Sequence, residues 1–328
     1  LESVFTKGGE LLFGATWSLN AGSGLGDVCL FVTSKGEIAV YEGLTPADMT
    51  LSGLYQIGTP IDKNSWFRSG GDLVIMTRDG AVPVSAAIDN DRAALKGKRA
   101  LTLPIEPEWQ RIIRLRIGSG ERFPVALWQS RGMLVVGLPR KSGEDIDCLI
   151  ANAVDGTWAK FIGWDIRALC VFGDDLYFGT GDGAIKKAET GGSDDGDAYT
   201  CVYVPSFDNL GNPNEKAACH ARIIARTNFP FSVQMFACAD YALEVPPPLP
   251  AGLTSAGSFW DVNLWDAGDS IWTGSDEANE AELHWQSCAA VGHSLTPGVA
   301  ITIGQDEEPE FELIGIDLQY ENGSVITG

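Results

Sequence analysis

The stretch Gly71-Asp72-Leu73-Val74-Ile75-Met76-Thr77-Arg78-Asp79-Gly80-Ala81-Val82 is matched almost position for position by Asp174-Asp175-Leu176-Tyr177-Phe178-Gly179-Thr180-Gly181-Asp182-Gly183-Ala184-Ile185. Each reads as an apolar strand, a tight turn and the start of a second strand, with Gly80 and Gly183 supplying the positive φ that such turns require. Ser34-Lys35-Gly36 and Asp155-Gly156 mark two further hairpins of the same kind. Gly80 and Gly183 lie 103 residues apart, so one intervening unit around Gly156 gives a mean spacing near 51. That is the length of a four-stranded propeller blade.

Outward from these hairpins, short apolar and β-branched runs alternate with Gly and Asp turns and predict strands over 11–16, 27–33, 37–41, 73–77, 81–85, 133–138, 148–154, 169–172 and 176–180. Blades are expected before about residue 58, from Ser65, over 123–163 and over 166–189. Four blades are few for a closed ring, and a chain opening on Leu1 reads as a fragment or a processed product, so closure is expected from upstream sequence. A helical, basic insertion near 86–118 interrupts the pattern on one face. Residues 85–98 are Ala-rich, and 106–115 carry acids at the start and bases at the end, as a short helix would.

Residues 191–197, Gly-Gly-Ser-Asp-Asp-Gly-Asp, form a linker. Beyond it, predicted strands over 200–204, 221–226, 232–237, 283–287, 299–303 and 311–320, without helices, point to a β-sandwich over 198–328. The fold class is therefore all-β, a β-propeller over 1–190 followed by an acidic sandwich.

A hydrophobic fraction of 45% and a charged fraction of 20% in 328 residues fit a globular chain with room for about two domains. The net charge of −21 divides unevenly, −3 over 1–190 and −18 over 191–328. So acidic a surface argues against coating nucleic acid or lying on anionic lipid. No apolar run approaches the ~18 residues of a spanning helix and no signal pattern opens the chain, which reads as soluble. Seven cysteines without a CxxC spacing do not make a disulfide framework, and Cys29, Cys148, Cys170 and Cys238, inside apolar runs, read as buried thiols.

The sequence holds no phosphate loop, no HExxH and no GxSxG elbow, and His220, His284 and His293 never pair at metal-binding spacing. Asp155-Gly156-Thr157-Trp158 lacks the intervening residues of an Asp box, Asp-x-Gly-x-Thr-Trp. Asp165, Asp174 and Asp175 are unremarkable loop carboxylates, and the acids of 193–197 suit a solvated linker better than a calcium loop. No catalytic, cofactor or metal residue is assigned. Two surfaces remain. Trp260, Trp265 and Trp272, close to Trp285, are a candidate ligand-stacking surface for sugar rings, against the plainer reading of aromatics covering a thin core. Arg92, Lys96, Lys98, Arg99, Arg111, Arg114 and Arg116 concentrate positive charge in the insertion and are a candidate assembly contact with an acidic neighbour.

The strings at 10–14, 31–43, 104–109 and 152–161, with His293-Ser294-Leu295-Thr296-Pro297-Gly298 and Ile316-Asp317-Leu318-Gln319-Tyr320-Glu321, resemble propeller-type tail proteins of short-tailed bacteriophages and prophages. That family includes tail hub, nozzle and packaged-DNA stabilisation proteins. The resemblance implies a homo-oligomeric virion ring, made in the host cytoplasm, that extends and closes the DNA channel below the portal and adaptor; it implies no catalytic residues, no cofactor and no membrane anchor. The alternatives are a propeller glycoside hydrolase or lyase acting on a bacterial surface polysaccharide, which needs two carboxylates in a pocket, and a glycan- or receptor-binding tail module.

Overall fold

The computed structural model describes residues 4–18, 27–43, 45–89, 100–118, 122–227, 232–249, 279–282, 285–304 and 308–323. The chain is mainly β and divides into two compact units, Leu1–Ala188 and Glu189–Gly328. No helix among the described residues is long and apolar enough to cross a membrane.

The first unit contains four successive antiparallel meanders. Strands β1 (Leu11–Ser18), β2 (Asp27–Thr33), β3 (Glu37–Glu42) and β4 (Thr50–Gln56) form the first sheet; β5 (Trp66–Ser69), β6 (Asp72–Thr77) and β7 (Gly80–Pro83) form the second. The third holds β8 (Val125–Trp128), β9 (Met133–Gly137), β10 (Asp147–Asn152) and β11 (Trp158–Ile162); the fourth holds β12 (Ala168–Phe172), β13 (Asp175–Gly179) and β14 (Ile185–Lys187). Helix α1 (Val84–Asp89) follows β7, and α2 (Glu106–Arg116) lies between the second and third sheets in sequence. The strand expected over 81–85 stops at Pro83, because the Asp72 carboxylate accepts hydrogen bonds from the Ser85 hydroxyl at 2.6 Å and the Ser85 N–H at 3.3 Å and so starts the helix. The rest of the helix expected over 85–98 falls outside the described residues.

Alternation along the strands decides which sheet meets which. In the second sheet Leu73, Ile75 and Val82 face the first sheet, while Val74, Met76 and Ala81 face the third. In the third sheet Leu134, Val136 and Leu149 face the second, while Val135, Cys148 and Ile150 face the fourth. The two middle sheets are thus covered on both faces, which is why β6 and β9 read as unbroken apolar runs. Each such side chain contributes about 1.5–3 kcal/mol by leaving water. The segment expected as a surface insertion joins this core: α2 inserts Trp109, Ile112 and Ile113 beside the second and third sheets, and the Trp109 indole N–H donates to the Thr77 carbonyl at 3.3 Å.

Among the described residues the four sheets hold four, three, four and three strands, a pattern that recurs every two sheets rather than every one. Trp17 at the end of β1 donates its indole N–H to Asp72 of the second sheet at 2.8 Å, and Trp128 at the end of β8 donates to the Asp174 carbonyl of the fourth at 2.6 Å. Both link a four-stranded sheet to the turn that opens the middle strand of the next three-stranded sheet.

The turn glycines Gly36, Gly80, Gly156 and Gly183 all have positive φ, as their turns demand. At Gly36 a Cβ would also lie 2.5 Å from the Gly58 carbonyl oxygen. The two matched hairpins nevertheless differ in register. Ile75 pairs with Val82 and Thr77 with Gly80 in the first, whereas Gly179 pairs with Ile185 in the second, one residue later. In the second turn the Thr180 N–H closes on the Ala184 carbonyl at 2.9 Å instead.

In the second unit β15 (Tyr199–Tyr203), β20 (Leu295–Ile303) and β17 (Ser232–Ala239) form one sheet. In the other, β16 (Lys216–Thr227) runs between β21 (Phe311–Asn322) on one edge and β18 (Asn279–Glu282) and β19 (Gln286–Gly292) on the other. Ile223 and Ala225 meet Met235, Val299 and Ile301 in the core between them. Lys216 is fully buried, its ammonium donating to the carbonyls of Asn212, of Asn214 at 2.8 Å and of His293 at 2.8 Å. All seven cysteines are free. Cys148 and Cys238 are buried as expected, but Cys29 is only partly covered and Cys170 is exposed, since β12 turns it to the outer side of the fourth sheet.

Candidate functional site

The basic concentration does not form one exposed surface among the described residues. Arg92, Lys96, Lys98 and Arg99 lie outside them. Arg111 is bound within the chain, to Glu108 at 2.7 Å and to Glu144 at 3.2 Å, and its guanidinium draws the Glu108 carboxyl below its ordinary range. Arg116 is buried, which corrects its place in the expected contact: Nη1 meets the Asp147 carboxylate at 2.6 Å and donates to the Pro139 carbonyl at 3.0 Å. Helix spacing explains it, because 109, 112, 113 and 116 share one face of α2. Only Arg114 of the three is exposed.

Trp260, Trp265 and Trp272 also lie outside the described residues. Their neighbour Trp285 is half exposed, with the Arg222 guanidinium 5.0 Å from its ring centroid.

The acidic groups of the hairpins serve the turns. Asp155 accepts from the Thr157 hydroxyl at 2.7 Å and the Thr157 N–H at 2.8 Å, and the hydroxyl, then the N–H, holds its carboxyl below the usual range. Asp182 is held low in the same way by the Thr180 hydroxyl and then the Ala184 N–H. Asp165 meets Arg140 at 2.6 Å, Arg167 at 3.0 Å and the Gly181 N–H at 2.9 Å, and Asp175 pairs with Lys187 at 2.7 Å. In 193–197, Asp194 and Asp197 exchange backbone hydrogen bonds of 2.8 and 3.1 Å. Among the described residues no group of three or more His, Cys, Asp or Glu is placed to hold a metal ion. An open groove of about 410 Å³ in the second unit is lined by Met235, Phe236, Val245, Pro246, Cys288 and Glu244, the last the one carboxylate among its described lining residues.

The feature that sequence reasoning missed is the pair of outer faces in the first unit. On the first sheet, side chains opposite to the core-facing Leu30 and Val40 form two cross-strand rows, Phe31 with Ala39 and Leu54, and Cys29 with Tyr41 and Leu51. Leu51 and Leu54 are exposed, Cys29, Phe31 and Tyr41 are partly covered, and Ala39 is fully buried between its neighbours. On the fourth sheet, side chains opposite to the core-facing Leu176 and Phe178 are Ala168 with Ile185, Cys170 with Tyr177, and Phe172. Phe172 is 76% exposed and Ile185 79%. The signal was present in 28–32 and 168–172, runs as continuously apolar as the doubly covered strands. Exposed apolar side chains in rows of this kind mark a candidate interaction surface.

No protein-family model matches the chain, and no match is found among curated proteins.

Proposed function

We propose that this protein is a structural component of a short-tailed phage virion, a subunit of a tail hub or nozzle ring that extends and closes the DNA channel below the portal. On this reading the first unit is an arc of four propeller blades and the second a β-sandwich. The observation that carries it is the contrast, among the described residues, between two middle sheets covered on both faces and two end sheets whose outer faces carry exposed apolar side chains, Leu51 and Leu54 on the first and Phe172 and Ile185 on the fourth. A part built to be completed by its neighbours has that pattern, and the tail-protein resemblance supplies the assembly.

The charge supports the same role. With −18 on residues 191–328, an acidic surface beside passing DNA repels phosphate and lets it slide. Portal and adaptor proteins are the partners, the virion is the location, and no catalysis is required. Exposed ion pairs contribute only ~0–1 kcal/mol each and are screened beyond roughly 8–10 Å, so apolar contacts dominate the assembly.

Mixing the protein with a portal–adaptor complex and imaging the product tests the proposal. A ring seated below the adaptor is expected. A protein that stays monomeric in the mixture, or that degrades host polysaccharide and loses this with one Asp→Asn change, overturns it.

A further inference from the structure

We propose that copies of this chain join head to tail, the outer face of the fourth sheet of one copy packing on the outer face of the first sheet of the next. The inference rests on the assembly reading above and names its junction.

The chain contains the template for that junction. Its three-stranded second sheet already packs on its four-stranded third sheet, with Phe67, Val74 and Met76 meeting Leu134, Val136, Leu149 and Ala151. The offset of 103 residues carries Phe67 to Cys170, Val74 to Tyr177 and Met76 to Gly179, all on the outer face of the fourth sheet. The core-facing positions correspond too: Leu73 and Ile75, directed at the first sheet, become Leu176 and Phe178, directed at the third.

The receiving side follows from strand register. Trp17 pairs with Val28 as Trp128 pairs with Met133, which places Cys29 and Phe31 where Leu134 and Val136 stand in the third sheet. Their cross-strand partners, Tyr41 and Ala39, then occupy the places of Ala151 and Leu149. The outer face of the first sheet is therefore the counterpart of the face that receives the second sheet. Continuing the sheet order beyond the fourth sheet calls for a four-stranded sheet with that face, and the first sheet of a second copy supplies it.

The faces agree in chemistry. Phe31, Tyr41, Leu51 and Leu54 carry no charge, Glu37 on the same face is buried and bonded to Thr6 and Lys7, and the charges opposite them, Lys187 and Asp175, neutralise each other at 2.7 Å. A head-to-tail contact of two different faces is heterologous and leaves one of each face available to a further copy, so it builds a ring where the rotation between copies closes, as the assembly reading requires, and an open filament where it does not.

Leu54→Glu on the first sheet and Ile185→Glu on the fourth test it by sedimentation velocity. Both sites are exposed, and unchanged melting of each variant is the check that it folds. The unaltered protein is expected to oligomerise and each variant alone to sediment as a monomer. An equimolar mixture of the two recovers a two-copy species, because one intact junction remains. Alkylation of Cys170 should slow tenfold or more in the unaltered oligomer. A variant that associates with itself as well as the unaltered protein does overturns the junction while leaving the ring reading intact. An unaltered protein that is monomeric alone but forms a ring on the portal–adaptor complex with Cys170 still reactive does the same. Failure on that complex as well overturns both.

Discussion

Val82 and Ile185 hold the same position in two matched hairpins and point to opposite sides of their sheets: Val82 is 5% exposed in the core against the first sheet, Ile185 79% exposed on the outer face of the fourth. The cause is a single residue of register, which in a strand of period two inverts every side chain that follows. The slip converts a core position into part of a surface.

Val82→Asp should cost about 4 kcal/mol or more, because it buries a carboxylate without a partner. Ile185→Asp should stay within about 0.5 kcal/mol in the monomer. Urea unfolding of the two variants checks the contrast, and equal losses would contradict the register.

The Arg116–Asp147 pair should behave as a buried ion pair with an extra cation, since Lys160 reaches the second Asp147 oxygen at 2.9 Å. Arg116→Met is expected to cost about 3 kcal/mol, the low end for breaking such a pair, and Asp147→Leu about 5 kcal/mol, because it strands Arg116. The double variant should recover most of the loss. A double-mutant cycle by urea unfolding measures this, and additive losses would contradict it.

Glu37 links the first described residues to β3. Burial raises its pKa, but the hydrogen bonds from the Thr6 hydroxyl and from the N–H groups of Lys7 and Thr6 outweigh burial and hold the carboxyl below its ordinary value. Its contribution to stability is therefore fully present above the ordinary value of about 4.3 and is lost as pH falls through the lower folded value. Glu37→Gln should lower stability at pH 7 and flatten the dependence in that acidic window. Unfolding free energies from pH 7 down to pH 3 give the comparison; an unchanged slope would contradict the assignment.

Gly36→Ala should cost about 1–3 kcal/mol more than Gly183→Ala. Both residues have positive φ, but a Cβ meets carbonyl oxygens at 2.5 and 2.6 Å at Gly36 and nothing within 4 Å at Gly183. Thermal melts of the two variants check the order.

Much of the β pattern was legible because turn chemistry and apolar runs coincide: β2, β6, β9 and β13 stand within a residue or two of where Gly36, Gly80 and the apolar runs put them. The expected strands missed β4, β5, β8, β11, β14 and β18. Ser52 and Gly53 dilute β4, β5 and β8 are four residues each, and β11 is mostly exposed, so edge strands lack the pattern that burial imposes. The register slip was not read from the sequence, because both turns share Thr-x-Asp-Gly, with Arg78 in one and Gly181 in the other, and the residues that close the ladder are set by pairing. Of the candidate basic surface, the fate of Arg116 was legible in helical spacing, whereas the pairing of Arg111 with Glu144 depends on a loop 33 residues away.

The most direct test of the central claim is electron cryo-microscopy of the protein assembled on a portal–adaptor complex. The account predicts a ring around an open channel, with the Cys170 and Phe172 face of each copy against the Phe31 and Leu54 face of its neighbour. A ring in which both faces remain open to solvent, or a particle in which they close on each other within one copy, would contradict it.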